Sequence, residues 1–287
     1  MEVNEEIMVS ICCITYNQEK SIGDSLKGFL MQETNFKYEI LLHEDASTDG
    51  TAAVIRKYQE KYPNRIDCIY QTENQFHKQN PFIDILFRKA KGKYIAMCEG
   101  DDYWTDPLKL QKQIDILESD ESYMITGHAV ETLDDDGNKD ILNAKGGNFT
   151  FRDLMLGMNI PTLSLVIRNM KGCFEKEIGN YPAGDFYIKS YLLNLGKGYL
   201  FKEPMGVYRV HNHGFWSSQA KKVIHKKTII AYRNFLQSFP KRKHDIRYGT
   251  VKYKLKNKLF FTDISKYVFS DIIVLFQIGL KKIFRRS

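Results

Sequence analysis

The sequence predicts an α/β fold, in which helices flank a mostly parallel sheet and a helical extension follows at the C-terminus. Three observations support this prediction. Strand-like and helix-like segments alternate through residues 1–120, polar loops follow three of the strand-like segments, and residues 216–287 are basic and helical in pattern. Such alternation is typical of βαβ units, in which a helix connects two parallel strands.

The elements of the first half are predicted from apolar runs and from capping signals. Short apolar or β-prone runs predict strands at residues 9–15, 38–42, 66–70 and 94–98. Helices are predicted between and after them, at residues 19–31, from the candidate N-caps Ser47 and Asp49 to Tyr62, at residues 82–91, and from Asp106 with Pro107 at the first helical position.

The second half is less regular. The pattern predicts a strand at residues 163–168, a helix at 185–195 and a strand-like segment at 198–214. The acidic run at residues 131–140 is predicted to be a solvated turn rather than a metal site. Because the pattern is less regular here, it allows fewer helix and strand boundaries to be predicted than in the first half.

The charge distribution divides the chain. Its net charge is +7, but residues 216–287 hold 18 Lys/Arg and 3 Asp/Glu, which leaves residues 1–215 with a net charge of −8. We therefore predict two domains, an enzyme-sized domain at 1–215 and a basic helical extension at 216–287. A basic extension on an acidic body predicts a polyanionic partner, either an anionic membrane surface or nucleic acid.

The cellular compartment is predicted from the cysteines and the N-terminus. Five cysteines, an odd number without a CxxC spacing, indicate reduced thiols, and the acidic first ten residues lack the apolar segment of a secretory signal. We expect a cytoplasmic protein. Residues 268–287 combine an apolar segment, too interrupted to span a bilayer, with four terminal Lys/Arg. They are either a peripheral anchor on anionic lipid or a helix packed on the body.

Polar loops follow three of the predicted strands. The first loop begins with Thr15, Tyr16 and Asn17, the second spans residues 43–50, and the third is Glu99-Gly100-Asp101-Asp102. In a parallel sheet these loops meet at one edge, where ligands of α/β proteins bind. Asp101 and Asp102 can supply oxygen ligands to Mg²⁺ or Mn²⁺ and leave positions for substrate phosphates. The alternative, capping of the next helix, needs one Asp, and Asp106 is available for it.

Several single residues have more than one interpretation. Asp45 is either an acceptor for a nucleobase imide or an ordinary turn residue, and Tyr16 is either a stacking partner or a rim aromatic. Asp185 is either a helix N-cap or a general base. His211 and His213 are metal ligands, phosphate donors or ordinary strand-end histidines.

Three segments together resemble a known family. "VSICCITYNQE", "YEILLHEDASTDGT" and "KYIAMCEGDDYWTDPLKLQKQ" closely resemble glycosyltransferase family 2, which has the GT-A fold. The resemblance runs through residues 1–120, continues more thinly through 184–214 and does not cover the tail.

The resemblance implies roles for individual residues. It implies that Tyr16 packs on the base of a nucleotide-sugar, usually a UDP- or dTDP-sugar, and that Asp45 accepts from the base N3–H. It implies that Asp185 is the catalytic base of an inverting transfer. The implied nucleotide-sugar contacts are Thr15, Tyr16, Asn17, Glu19, Asp45, Glu99 and Asp101; the implied ligands of Mn²⁺ or Mg²⁺ are Asp101, Asp102 and His211. Glu99 and Glu44 stand where Asp is usual in the family.

The sequence therefore predicts a metal-dependent inverting glycosyltransferase. It would move sugar from a nucleotide-sugar, most simply a UDP-sugar, to a glycan or lipid-linked acceptor in surface polysaccharide synthesis. We expect it on the inner face of the cytoplasmic membrane and expect no nucleic-acid partner, because the candidate site loops are acidic. The alternative is a catalytically inactive module that binds a nucleotide-sugar or a polyanion.

Overall fold

The computed structural model describes residues 6–75, 81–170, 184–211 and 221–257. The chain divides into two compact units, Met1–Asn148 with Ile160–Ser218, and Phe149–Asn159 with Gln219–Ser287. Residues 149–159, which lie inside the first predicted domain, thus group with the basic unit. The predicted boundary at 215 falls outside the described residues and stays a prediction.

The strands and helices are as follows. The strands are β1 (Ile7–Thr15), β2 (Lys37–Glu44), β3 (Ile66–Tyr70), β4 (Tyr94–Glu99), β5 (Tyr103–Trp104), β6 (Tyr123–Asp134), β7 (Lys139–Leu142), β8 (Gly147–Phe149), β9 (Val166–Arg168) and β10 (Lys197–Val210). The helices are α1 (Ile22–Leu30), α2 (Thr51–Lys61), α3 (Lys109–Ser119), α4 (Phe151–Met155), α5 (Gly184–Leu195), α6 (Lys221–Ser238) and α7 (Lys243–Lys256).

The predicted α/β class is confirmed, and several predicted elements differ in detail. Helix α1 begins at Ile22, three residues later than predicted, and the N-cap of α2 is Gly50 rather than Ser47 or Asp49. The helix predicted at 82–91 is π-helical over Pro81–Phe87. The strand predicted at 163–168 begins as a 3₁₀ turn at Thr162–Ser164 and becomes extended at β9. Helix α3 begins two residues later than predicted, because the Asp106 carboxylate accepts from the Leu108 N–H and holds a turn before the helix.

The sheet is mixed. Its strand order is β3-β2-β1-β4-β9-β6-β10-β5, with parallel pairing from β3 to β4 and between β6 and β10. Strand β9 pairs antiparallel to β4 and β6, and β5 antiparallel to β10. Thr15 pairs with Glu44, and Ile14 pairs with Glu99. The three polar loops therefore leave the sheet at the same level.

The core lies on both faces of the central strands. Every residue from Val9 to Cys13 is buried, as is every residue from Tyr94 to Cys98, which explains why both segments are apolar almost throughout. Helix α1 packs Phe29 edge-on against Trp104, with ring centroids 4.8 Å apart. Full burial of a side chain such as Phe29 contributes about 2–3 kcal/mol. The Trp104 indole donates to the Leu163 carbonyl at 2.8 Å, so the segment after the third loop is fixed to the core.

A buried lysine lies beside this tryptophan. The Lys109 ammonium sits 3.9 Å from the Trp104 ring centroid, and its Nζ has no hydrogen-bond acceptor among the described residues. Burial lowers the Lys109 pKa to about 7, although Cys98 and Asp106 act in the opposite direction. Attraction to the ring face thus replaces part of the hydration that the ammonium loses.

The second unit is helical in its described part. The Tyr232 hydroxyl of α6 donates to the Met155 carbonyl at 3.1 Å. A side chain at Gly249 would collide with the same carbonyl, so glycine permits the close packing of α7 on the end of α4. The anchor predicted at 268–287 lies outside the described residues. Across the ranges that the structure describes, no helix combines the length and apolarity that a membrane span requires.

Candidate active site

The loops after β1 and β2 are joined by hydrogen bonds. Asn17 Oδ1 accepts from the Thr48 N–H at 2.8 Å, and the Asn17 N–H donates to Ser47 Oγ at 2.9 Å. Glu19 Oε2 accepts from the Gly50 N–H at 3.1 Å. Asn17 adopts φ 52°, a left-handed conformation that Asn tolerates better than most residues. Asn17 and Glu19 thereby hold the two loops as one unit, and a direct contact to nucleotide stays a prediction.

Asp45, in the loop after β2, is held in place by hydrogen bonds. Its side chain is nearly buried, and Oδ1 accepts from the Gln75 N–H at 2.7 Å. Its own N–H donates to the Thr15 carbonyl at 3.0 Å. Tyr16, by contrast, is 45% exposed, which leaves its ring accessible for stacking. A fixed acceptor and an accessible ring in adjacent loops suit a planar ligand with an N–H group.

The Glu99–Asp102 loop passes close to the first loop. The Gly100 N–H donates to the Ile14 carbonyl at 2.9 Å. A Cβ at Gly100 would lie 2.5 Å from Gln18 Oε1 and 2.9 Å from Thr15 Oγ1, so glycine is required there. Ser25 Oγ contacts the carbonyls of Gly100 and Asp102 at 3.0 and 2.6 Å.

Arg209 supplies positive charge to the acidic loop. Its backbone N–H donates to Asp102 Oδ1 at 2.8 Å, and its Nη1 donates to the Asp101 carbonyl at 2.7 Å. Its Nη2 pairs with Asp24 at 2.8 Å, and the guanidinium lies 4.5 Å from the Tyr103 ring centroid. The planar group thus ties β10 to the loop and to α1 through several directed contacts.

The carboxylates of the loop repel one another. Burial, together with the charges of Asp101 and Asp185, raises the Glu99 pKa to about 8. Burial and the charges of Asp101 and Glu99 raise the Asp102 pKa, which the Arg209 contacts lower in part. Burial also raises the Asp101 pKa, against the opposing effects of His211 and Arg209. The protein therefore leaves negative charge at this edge incompletely compensated.

The charge environment of Asp185 differs from that of the loop carboxylates. It is the second residue of α5, and its Oδ2 pairs with the Lys189 ammonium at 2.8 Å, one turn further along the helix. Lys189 is buried and also donates to the Ile160 carbonyl at 3.0 Å. Burial acts to raise the Asp185 pKa, but the Lys189 charge and hydrogen bond outweigh it and the pKa is lowered. The carboxylate is thus held ionised and able to accept a proton.

His211 lies at the edge of the same cluster. Its Nδ1 is 3.0 Å from Asp135 Oδ1, in the turn between β6 and β7, and it is one of the groups that act to lower the Asp101 pKa against the effect of burial. The turn predicted over the acidic run 131–140 is confined to residues 135–138, because β6 continues to Asp134 and β7 begins at Lys139. The same run orients a site histidine. His213 lies outside the described residues.

The structure brings further residues to the site that the sequence pattern did not assign. They are Gln18, Ser25, Gln75, Lys189, Tyr208 and Arg209. Tyr208 precedes Arg209 on β10, and burial, followed by the charges of Asp102 and the other site carboxylates, raises its pKa to about 12. The spacing of Lys189 four residues after Asp185 was a usable helical signal. Nothing in the sequence linked Arg209 to Asp24.

The site meets the requirements of a cation brought by a ligand. Among the described residues, no group of three or more His, Cys, Asp or Glu side chains could hold a metal by itself. The loop does present under-compensated carboxylates, and the buried atoms Thr15 Oγ1 and Gln18 Oε1 have no hydrogen-bond partner in the described part of the chain. Mg²⁺-type ions are usually held by one or two protein carboxylates together with phosphate oxygens of the substrate. The residues of this loop therefore fit such an ion.

Fold and site together define the class of nucleotide-sugar transferases with the GT-A fold. Residues 10–170 match the family model described as "Glycosyl transferase family 2". The chain belongs to this family.

Relatives and solved structures agree with this assignment. The chain is 35% identical over 215 residues to the uncharacterized protein Rv1520 of Mycobacterium tuberculosis, covering 73% of this chain and 61% of that protein. It is 32% identical over 117 residues to WfaP of Escherichia coli, a UDP-Glc:alpha-D-GlcNAc-diphosphoundecaprenol beta-1,3-glucosyltransferase, covering 40% of this chain and 43% of WfaP. The chain thus spans about three fifths of the length of its mycobacterial relative.

Two solved structures share the fold. Staphylococcus aureus TarS 1–349 in complex with UDP-GlcNAc aligns with a TM-score of 0.67 at 14% identity, over 93% of this chain and 78% of that one. The mannosyltransferase PcManGT of Pyrobaculum calidifontis, in complex with GDP-Man and Mn²⁺, aligns with a TM-score of 0.62 at 13% identity, over 98% and 81%. The predicted GT-A fold is confirmed.

Proposed function

We propose that the protein is an inverting glycosyltransferase that moves a sugar from a nucleotide-sugar, with UDP as the preferred nucleotide, to a glycan or lipid-linked acceptor of a cell-surface polymer. The observation that carries the proposal is the meeting of the Glu99–Asp102 carboxylates with the ionised Asp185 at one edge of the sheet. The names of WfaP and TarS support the donor class and the type of acceptor.

The nucleotide would lie across the loops after β1 and β2. Asp45 would accept the base N3–H, since its carboxylate is held in place by the Gln75 N–H, and Tyr16 would stack on the base. Thr15 Oγ1 and Gln18 Oε1, both without partners in the described ranges, would meet donors of the ligand. Burial of these unsatisfied atoms costs about 1–3 kcal/mol each, which a bound hydroxyl or water would recover.

A divalent cation, Mn²⁺ or Mg²⁺, would be held by Asp101 and Asp102, with His211 oriented towards it by Asp135. Bound there, the cation would supply charge neutralisation for a leaving diphosphate. Arg209 supports the same site, because it fixes the carbonyl of Asp101 and the carboxylate of Asp102. The charges of Asp101 and Asp185 both raise the Glu99 pKa, so we assign Glu99 to the donor sugar side of the cluster.

Asp185 would act as the general base. It would accept the proton of the acceptor hydroxyl as that oxygen attacks the sugar carbon opposite the nucleotide. Lys189 keeps the carboxylate ionised and fixed, as this role requires. We further propose that the protein works at the inner face of the cytoplasmic membrane, where a lipid-linked acceptor of the kind named for WfaP would be presented.

Thermal-shift and turnover assays separate the parts of this proposal. We expect UDP to stabilise the parent protein only when Mn²⁺ is present, and Asp101→Asn to abolish that stabilisation. Asp185→Asn should keep metal-dependent UDP binding and lose at least a hundredfold in UDP-sugar turnover, because only the base is removed.

Two results would contradict the proposal. Absence of metal-dependent UDP or GDP binding in the parent would overturn the donor assignment. If UDP-sugar binds but shows no measurable turnover, either by hydrolysis or with acceptors extracted from membranes, the catalytically inactive binding module would be favoured instead.

A further inference from the structure

Helix α6 carries a strip of exposed side chains in the described part of its unit. Residues Lys222, Val223, Lys226, Ile230 and Arg233 are all exposed and fall within an arc of about 100° at helical spacing. We call this set the α6 strip. The opposite side of the helix packs inward through the buried residues Ala231, Tyr232 and Phe235.

The strip has a cationic edge and an aliphatic edge. Lys222, Lys226 and Arg233 lie within about 40° of one another around the helix, and Val223 and Ile230 lie beside them at about 80–100°. The two aliphatic side chains are 43% and 37% exposed. Helix α6 contains no Asp or Glu, so no acidic residue of the helix neutralises the cationic edge.

The surrounding unit has the same sign of charge. Residues 149–159 and 221–257 contain 13 Lys/Arg and 2 Asp/Glu. Of those acids, Asp153 forms the capping box of α4 and Asp245 lies 3.9 Å from Arg152. Charges of one sign on a small unit produce an attractive field for a polyanionic surface within about 10 Å at 0.1 M salt.

We propose that the α6 strip lies on an anionic phospholipid surface, with the three cations at the headgroups and Val223 and Ile230 entering the interface. The aliphatic edge favours a lipid surface over nucleic acid. Nucleic-acid phosphates would bind the cations but would not bury the two exposed β-branched residues, whereas a lipid interface would bury both. The inference rests on the proposed function, since a lipid-linked acceptor would be reached from the membrane plane.

Vesicle flotation of the full-length protein tests the cationic edge. The probe is phosphatidylglycerol/phosphatidylcholine vesicles at 0.1 M salt. We expect Lys222→Gln with Lys226→Gln and Arg233→Gln to weaken partitioning by about a hundredfold, as three cations at an anionic surface predict. The matched control is Lys57→Gln with Lys145→Gln and Lys202→Gln, which removes the same charge from exposed positions of the first unit. It should change partitioning by less than about threefold.

The aliphatic edge distinguishes lipid from nucleic acid. Val223→Ser with Ile230→Ser should weaken vesicle binding by about tenfold and leave binding to a random DNA duplex unchanged. Circular dichroism and the thermal midpoint establish that each variant is folded. Equal losses in the cation variant and its control would overturn the proposal, as would a Ser variant that binds vesicles like the parent.

The outcome is separable from that of the proposed function. The strip variants should keep the parent's metal-dependent UDP stabilisation, because none of the substituted residues belongs to the site. Absence of metal-dependent UDP binding in the parent would overturn the enzymatic proposal alone. Unchanged vesicle binding in the strip variants would overturn the proposed membrane contact alone.

Discussion

Arg209 and Asp102 lie 107 positions apart in the sequence and are joined by a 2.8 Å hydrogen bond from the Arg209 N–H to Asp102 Oδ1. The Arg209 side chain adds a contact to the Asp101 carbonyl and an ion pair with Asp24. The acidic loop therefore has a protein cation beside it before any metal arrives. Because the Asp102 pKa is still raised, this cation shapes the loop without satisfying its charge.

Arg209→Lys should weaken metal-dependent UDP binding by about tenfold. Lysine keeps the charge but loses the planar group that reaches Asp101 and Asp24 together, so the loop should become less ordered. Calorimetric titration of UDP at saturating Mn²⁺ measures this change. The matched control is Lys27→Gln, which removes the other cation at Asp24, one that is 69% exposed and should be dispensable. Parent-like affinity in Arg209→Lys would show that its backbone N–H suffices.

The elements of the first half could be predicted because their signals are local. Strands β1 and β4 are continuous apolar runs, as expected for strands buried on both faces. The polar loops could be placed at one edge because parallel pairing puts Thr15 beside Glu44.

The remaining features depend on contacts between distant segments. The Arg209 contacts join β10 to a loop more than 100 residues earlier, and no local pattern encodes that pairing. Likewise, the grouping of residues 149–159 with the basic unit depends on contacts such as the hydrogen bond from Tyr232 to the Met155 carbonyl. Asp45 was recognisable as a candidate, but its partner Gln75 comes from a loop with no motif.

Lys189→Met should move the acidic limb of the kcat/KM–pH profile upward by about one unit. The Lys189 charge lowers the Asp185 pKa, so its removal raises that pKa and the base becomes protonated at a higher pH. Lys189→Arg, which keeps the charge, should leave the acidic limb at the same pH as in the parent. Lys197→Met is the control, since it breaks an ion pair with Asp120 of the same 2.8 Å length elsewhere. A parent-like limb in Lys189→Met would remove Lys189 from its positioning role.

Lys109→Met should stabilise the protein at neutral pH. Because burial lowers the Lys109 pKa from 10.5 to about 7, the unfolded chain binds more protons between those values. The unfolding free energy of the parent should therefore rise as pH increases from 7 towards 10.5. Methionine avoids this penalty and can contact the Trp104 ring.

Urea unfolding at pH 7 and pH 10 measures the effect. The gain of Lys109→Met should be about 2–4 kcal/mol at pH 7 and should shrink at pH 10. Lys112→Met, on the same helix but with a 40% exposed side chain paired to Asp106, should show no such pH dependence. A gain that is equal at both pH values would mean that Lys109 is not neutral when folded.

Asp45→Asn should change which base the protein prefers. The Gln75 N–H already donates to Oδ1 at 2.7 Å, so the asparagine oxygen would keep that bond and its amide NH₂ would face the ligand. The position would then donate where the carboxylate accepts, which opposes the N3–H of uracil and suits the unprotonated N3 of cytosine. We expect UDP affinity to fall about tenfold while CDP affinity stays equal or rises. Asp67→Asn, at a 53% exposed carboxylate of β3, should leave the UDP-to-CDP ratio unchanged, and a parent-like ratio in Asp45→Asn would show that Asp45 does not contact the base.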